Sequence, residues 1–293
     1  MSASPTGYPG TVVSLLKGGV TKTSTALNLA DRLAAANNDV VIADLDKDGH
    51  LTTLLGEDEA LNAETHVGDI MFGDTAPGDI LRETPHGFDL LPSTDRLEEV
   101  EDKVKNETYG VNKLRRQVVA PLVDEMGYDY VVIDPPGGRG LLHDSALVAV
   151  QRVVIPLIPS TGSISGLDKL LTRSIRPLRE EIPVDIVAIT PNMMRESIAQ
   201  ESDEQALTRE LNTRAEFREH LPSYARVDPE IFDVVDEPGA HLDNIPKPGI
   251  RYRKAINDAF RHGAPVSKYD SPCDQIENFD ILAGRVMEVS EDG

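Results

Sequence analysis

The sequence predicts an α/β fold in which one doubly wound, mostly parallel sheet carries helices on both faces. Six short apolar segments, rich in β-branched residues, are typical of strands that are buried on both sides. These segments are Val12–Leu16, Val40–Ala43, Asp89–Leu91, Tyr130–Ile133, Val153–Ile158 and Val184–Ile189. Helical stretches separate most of them, as expected for βα units, and no repeat divides the 293 residues.

Helices are predicted from apolar positions at helical spacing and from their end signals. They are expected at Thr25–Ala36, Leu97–Asn106, Val111–Met126, Gly166–Leu178 and Glu201–His220. We expect residues 1–10 to form a short disordered tail and residues 11–293 to form a single domain. The acidic, proline-bearing stretch 226–247 is either an insertion packed on the sheet edge or a mobile loop.

The composition is strongly acidic, since 29 Lys and Arg against 50 Asp and Glu give a formal net charge of −21. Such a surplus predicts a salt-adapted, haloarchaeal-like surface, because salt screens its self-repulsion; an acidic chain from an ordinary cell is the alternative. The single cysteine, Cys273, excludes an internal disulfide and fits a reducing compartment. With no visible secretory signal and no apolar run of about 20 residues, we expect a soluble, cytoplasmic protein.

The first predicted strand leads into a glycine pair, then a lysine with two hydroxyl residues, and then a helix. Strand, turn and helix in this order form a phosphate cradle, because the N–H groups of the turn and the positive end of the helix face anions. Lys22 can reach the β- and γ-phosphates of ATP, and the Thr23 hydroxyl can bind Mg²⁺. The predicted nucleotide contacts here are Gly18, Gly19, Val20, Thr21, Lys22, Thr23 and Ser24.

This turn departs from the ordinary G-x-x-x-x-G-K-[ST] pattern, since Leu16 and Thr21 occupy its two glycine positions. Two lysines five positions apart around a glycine pair resemble the deviant Walker A motif, K-G-G-V-x-K-[ST], of the ParA/MinD family of P-loop ATPases. The resemblance implies that Lys17 is catalytic and reaches the nucleotide of the partner in an ATP-dependent homodimer. A strand–helix turn with incidental lysines is the alternative.

Two other strands end in carboxylates. Asp44 and Asp46 close the second strand, and the stretch resembles the family's D-x-D-P-Q-G-N motif, although three of its residues differ after Asp46. The resemblance implies that Asp46 orients or deprotonates the attacking water and that Asp44 lies near the metal. Two acids that merely cap a strand end are the alternative. Asp134 ends an apolar strand in the manner of a Walker B carboxylate that holds Mg²⁺.

The base and DNA contacts are expected in the C-terminal third. The resemblance implies that Asn192, Ile245 and Pro246 contact adenine, and a simple turn residue is the alternative for Asn192. From residue 247 to residue 268, six Lys or Arg accompany one acid, a net charge of +5. This segment predicts sequence-independent contacts with DNA phosphates, or else pairing with the adjacent acidic stretch. The assigned DNA contacts are Arg251, Arg253 and Lys254.

The resemblance spans roughly residues 11–287 and is greatest to short, Soj-like ParA members. It implies an ATPase with ATP and Mg²⁺ as cofactors that binds DNA on the nucleoid and segregates or positions a cargo. Hydrolysis would be stimulated by a ParB-like or cargo-adaptor partner. Two alternatives stay open: a nucleotide-gated scaffold that does not hydrolyse ATP, and a MinD-like ATPase on a membrane surface, which the acidic C-terminus disfavours.

Overall fold

Seven strands form one sheet in the structure, a computed structural model that describes residues 7–15, 21–195, 203–235 and 248–291. The strands are β1 (Gly10–Val13), β2 (Val40–Asp44), β3 (Arg82–Glu83), β4 (Asp89–Leu91), β5 (Tyr130–Asp134), β6 (Arg152–Leu157) and β7 (Asp185–Pro191). Their order is β3-β4-β2-β5-β1-β6-β7, and every pair is parallel except β3 with β4. The predicted doubly wound α/β fold is therefore confirmed.

Helices follow most of the strands. In chain order they are α1 (Thr21–Ala35), α2 (His50–Leu54), α3 (Asp58–Leu61), α4 (Val67–Phe72), α5 (Leu97–Asn106), α6 (Leu141–Val150), α7 (Ser163–Leu170), α8 (Arg176–Arg179), α9 (Asp203–Thr213), α10 (Ala215–Arg218), α11 (Ile231–Val235), α12 (Lys254–Arg261), α13 (Val266–Tyr269) and α14 (Ile276–Glu291). Across the described segments, none of the helices is both long and apolar enough to cross a bilayer.

The core lies on both faces of the sheet, because successive side chains of a strand point to opposite sides. In β5, Val131 and Ile133 join the cluster beneath α4–α7 and α9, whereas Tyr130 and Val132 join the cluster beneath α1 and α14. Each of these four side chains is at most 7% exposed. Burial on both faces explains why the strands read as nearly continuous apolar runs.

Several predicted boundaries differ from the structure. β1 ends at Val13 rather than at residue 16, although the Ser14 N–H still donates to Val154 O at 2.9 Å. The predicted helix 111–126 consists of a 3₁₀ turn and two π-helical segments that flank Ala120 before Pro121, whose missing N–H cannot continue the ladder. The predicted helix 201–220 is broken at Arg214, where the backbone is extended.

The ends of the predicted domain also need comment. Residues assigned to a disordered tail contact the fold: Gly10 lies in β1, and the Tyr8 hydroxyl donates to Asp124 at 2.9 Å. Of the proposed insertion, α11 is described and Phe232 is buried, whereas residues 236–247 lie outside the described part of the chain. The single-domain assignment stays a prediction.

Candidate nucleotide site

The site lies where β1, β2 and β5 end, because the carboxyl ends of parallel neighbours share one edge of the sheet. α1 begins there at Thr21, and Lys22 is only 4% exposed, with Nζ donating to Pro135 O at 3.0 Å. Thr21 has no left-handed backbone, so its Cβ is accommodated without strain. The first four predicted phosphate-loop residues, Lys17, Gly18, Gly19 and Val20, lie outside the described residues.

Thr23 and Asp134 form the centre of the site. The Thr23 hydroxyl donates to Asp134 Oδ2 at 2.6 Å, and the other oxygen, Oδ1, is buried with no hydrogen-bond partner in the described structure. Burial raises the pKa of Asp134 to about 7, although the nearby Lys22 ammonium lowers it. A fully buried carboxylate with one unpartnered oxygen beside a hydroxyl fits a hard divalent cation.

This arrangement is incomplete as a metal site by itself. No group of three or more His, Cys, Asp or Glu that could hold a metal ion occurs in the described ranges. Mg²⁺ commonly binds through one or two carboxylates together with substrate phosphates. Thr23 and Asp134 therefore fit a cation that enters with a nucleotide.

The two aspartates of the second motif have different surroundings. Asp44 faces Asp134 in the β2–β5 register, and its oxygens accept from Thr52 N and Oγ1, both at 2.8 Å, and from Asp46 N at 3.1 Å. Burial raises the pKa of Asp44 to about 6. These bonds give Asp44 a role in shaping the turn, and its predicted metal contact stays a prediction. Asp46 is more exposed and faces the cavity described next.

A cavity of 730 Å³ opens in front of these groups. Lys22, Thr23 and Asp46 line one side, and the loop 136–140 lines another. Across its mouth, Lys47 Nζ and Glu98 Oε1 lie 2.7 Å apart, and both side chains are mostly exposed. The volume is within the roughly 300–1,000 Å³ that ligand pockets occupy.

Two contacts that sequence reasoning missed hold the helix after this loop. Glu101 Oε1 accepts from the N–H groups of Leu141 and Leu142, at 2.5 and 3.3 Å, and so caps the start of α6. In the same turn, His143 Nε2 lies 2.7 Å from Ser14 Oγ, and both side chains are fully buried. These contacts tie α6 to α5 and to the end of β1. No sequence signal distinguishes Glu101 among the many acids of the chain.

The base-side residues surround a second, smaller pocket of 50 Å³. Asn192 is 5% exposed; its Nδ2 donates to Thr25 Oγ1 at 2.9 Å, and its Oδ1 accepts from Thr190 Oγ1 at 3.0 Å. The opposite amide orientation would require Thr25 Oγ1, which already donates to Thr21 O, to donate twice. Asn192 thus links β7 to the first turn of α1. Its adenine contact stays a prediction, and Ile245 and Pro246 lie outside the described residues.

The cations assigned to DNA all have carboxylate partners. Arg251 and Arg253 are part-buried and both contact Asp274, whereas Lys254 is exposed and pairs with Asp258. The described surface here is therefore less positive than the sequence count indicated. The alternative partners in the acidic stretch 236–247 lie outside the described residues.

Comparison with known proteins gives the family. A family profile described as an AAA domain matches residues 11–187, more than half of the chain. A ParA family protein of Chlamydia muridarum is 31% identical over 61% of this chain and 69% of its own length. The chain belongs to the ParA family.

Other relatives of this ParA-family chain match more of its length. The chromosome-partitioning ATPase Soj of Treponema pallidum is 27% identical over 94% of this chain and 95% of that protein. The sporulation initiation inhibitor protein Soj of Bacillus subtilis is 33% identical over 58% of this chain and 66% of that protein. The predicted family resemblance is confirmed, and the predicted salt adaptation stays a prediction.

Solved structures share the fold at lower identity. McdA of Cyanothece in complex with ATP has a TM-score of 0.71 at 18% identity and covers 97% of this ParA-family chain and 98% of its own. A plasmid partition protein of Borrelia burgdorferi bound to AMPPNP has a TM-score of 0.67 at 19% identity, covering 96% and 99%. Cobyrinic acid a,c-diamide synthase of Mycobacterium smegmatis with ADP and magnesium reaches 0.64 at 24% identity, covering 84% and 100%.

Proposed function

We propose that this chain is a Mg²⁺-dependent ATPase of the partition type. In this proposal ATP joins two copies in a dimer that binds DNA without sequence preference, and the dimer segregates or positions a cargo in the cytoplasm. The Thr23–Asp134 pair with its unpartnered buried oxygen, facing a large cavity, is the observation that carries the proposal. The partition proteins among the relatives support it.

The chemistry follows from the positions of the side chains. Phosphoryl transfer depends mainly on positioning and on neutralising the charge of the phosphates. Thr23 and Asp134 would hold Mg²⁺, which when bound supplies positive charge against the phosphate oxygens. Lys22, held by Pro135 O at the same edge, adds a second positive charge. Asp46, at the cavity wall, would orient a water molecule and accept its proton.

The remaining roles concern the second subunit and the partner. Lys17 would reach into the site of the other copy, and the broad open cavity leaves room for a facing subunit. Arg251, Arg253 and Lys254 would contact DNA phosphates. A ParB-like or adaptor protein would accelerate hydrolysis and so end DNA binding. Slow turnover is expected without it, because the described site contains no arginine directed at the phosphates.

Phosphate release with Mg²⁺, ATP and duplex DNA tests the catalytic assignment. We expect Asp46→Ala to lower turnover by about 100-fold or more, the usual contribution of a general base. Asp48→Ala removes an exposed acid from the wall of the same cavity and should leave turnover unchanged. Equal turnover of Asp46→Ala and wild type would refute the role of Asp46. Tight ATP binding with no wild-type turnover, with or without DNA, would favour the nucleotide-gated scaffold.

A further inference from the structure

Asp274 binds both of the arginines that are assigned to DNA. Asp274 Oδ2 lies 2.7 Å from Arg251 Nη2, and Arg253 binds both carboxylate oxygens, with Nε at 2.7 Å from Oδ1 and Nη2 at 2.6 Å from Oδ2. The arginine side chains are 24% and 23% exposed, and Asp274 is 45% exposed. The Arg253 hydrogen bonds lower the pKa of Asp274 to about 2, so it is ionised at neutral pH.

The surrounding backbone holds this cluster in place. The next residue, Gln275, is fully buried, and its Oε1 accepts from Arg251 N at 2.7 Å and from Asn278 Nδ2 at 3.0 Å. Arg251 also forms a parallel bridge with Met194, in the loop after β7. Asp274 and Arg251 are therefore fixed to the same framework, and their contact does not depend on two freely moving side chains.

The same arginines line the base-side pocket. Arg251 and Arg253 share the walls of the 50 Å³ pocket with Thr21 and Ser24 of α1 and with Asn192. A volume of 50 Å³ holds one or two water molecules, since a water occupies about 30 Å³ in the liquid. A nucleotide base bound there would have to widen the pocket and so displace its walls.

We propose that Asp274 is an internal competitor of the DNA backbone, occupying the place on Arg251 and Arg253 that a DNA phosphate takes in the nucleotide-bound protein. This inference rests on the proposed DNA binding. Arginine binds carboxylates and phosphates with the same two-pronged geometry, so one can replace the other without rebuilding the site. Base binding moves the pocket wall and weakens the contact with Asp274, which makes DNA binding depend on nucleotide.

The structure offers a matched pair of variants. Asp274→Asn removes the competing charge and keeps the shape of the side chain. Asp280→Asn is the control, because Asp280 is 47% exposed and binds Arg32 at 2.6 Å, away from the pocket. Both variants change the net charge by the same amount. Asp274→Glu retains the charge and should behave as wild type.

The test is the binding of a labelled duplex of random sequence, followed by fluorescence anisotropy from 50 to 300 mM salt. Without nucleotide, Asp274→Asn should bind roughly three- to tenfold more tightly than wild type, the combined value of two exposed ion pairs. Its plot of log affinity against log salt should be steeper by about one to two, at about 0.9 per new phosphate contact. With Mg²⁺ and ATP the difference from wild type should shrink.

The outcomes separate this inference from the proposed function. Equal affinity of Asp274→Asn and Asp280→Asn, with wild type binding DNA, would overturn the competition by Asp274 alone. No DNA binding by wild type or either variant, at any salt concentration and with ATP present, would overturn both. Circular dichroism melting of each variant verifies that the fold is retained.

Discussion

Asp134→Asn should stabilise the nucleotide-free protein while removing its response to Mg²⁺ and ATP. The Asp134 side chain is buried, and burial raises its pKa from 3.8 to about 7. A carboxyl whose pKa is higher in the folded than in the unfolded state destabilises the fold when it ionises. This cost is absent below the unfolded pKa and complete above the folded one. A neutral amide of the same shape removes the cost.

The size of the effect follows from that pKa. A rise from 3.8 to about 7 corresponds to about 4 kcal/mol, at about 1.4 kcal/mol per pKa unit. The amide also leaves the buried Lys22 ammonium without this counter-charge, which offsets part of the gain. We therefore expect Asp134→Asn to raise the free energy of unfolding by about 1–3 kcal/mol at pH 8. The gain should be smaller by about 1–2 kcal/mol at pH 5.5.

Urea unfolding followed by circular dichroism, without nucleotide or metal, measures this difference at both pH values. Repeating it with Mg²⁺ and ATP at about 100 times Kd should add about 2.7 kcal/mol to wild type and much less to the variant. Asp48→Asn, an exposed acid of the same cavity, should change stability by under about 0.5 kcal/mol. A less stable variant at pH 8, or one that ATP stabilises as much as wild type, would refute the reasoning.

Two further changes test the contacts that hold α6. In a double-mutant cycle by urea unfolding, Ser14→Ala and His143→Leu should each cost about 1–3 kcal/mol, since each leaves a buried polar partner unpaired. The double mutant should cost less than the sum, and strict additivity would contradict the contact. Gly140→Ala should cost about 1 kcal/mol, because its Cβ would lie 2.3 Å from Glu101 Oε1 and displace the cap. Gly138→Ala, with open space around its Cβ, should be neutral, and equal costs for the two would contradict the role of Glu101.

The sequence predicts the central site well, because each of its parts is a local pattern. Strands that end in Asp44 and Asp134 must bring those ends together once the sheet is parallel, and Lys22 and Thr23 follow β1 directly. The structure places Thr23 against Asp134 as that logic requires. Family resemblance added roles, such as that of Asp46, which local pattern alone leaves open.

Other features depend on contacts between distant residues. The cap on α6 comes from Glu101, forty residues earlier, and Asp274 reaches Arg251 from twenty-three residues away. An acidic chain offers dozens of such carboxylates, so nothing in the pattern selects these two. The local charge count near Arg251 consequently overstated the positive surface. Helix breaks such as that at Arg214 similarly depend on tertiary packing that overrides a helical pattern.

The most direct test of the account is the affinity of the wild-type protein for duplex DNA in three nucleotide states, measured by anisotropy at one fixed salt concentration. The states are Mg²⁺ with ATP, Mg²⁺ with ADP, and ATP with EDTA. The account predicts tight binding in the first state alone, because the site at Thr23 and Asp134 requires the metal together with the γ-phosphate. Equal affinity in all three states would contradict a nucleotide-gated partition ATPase.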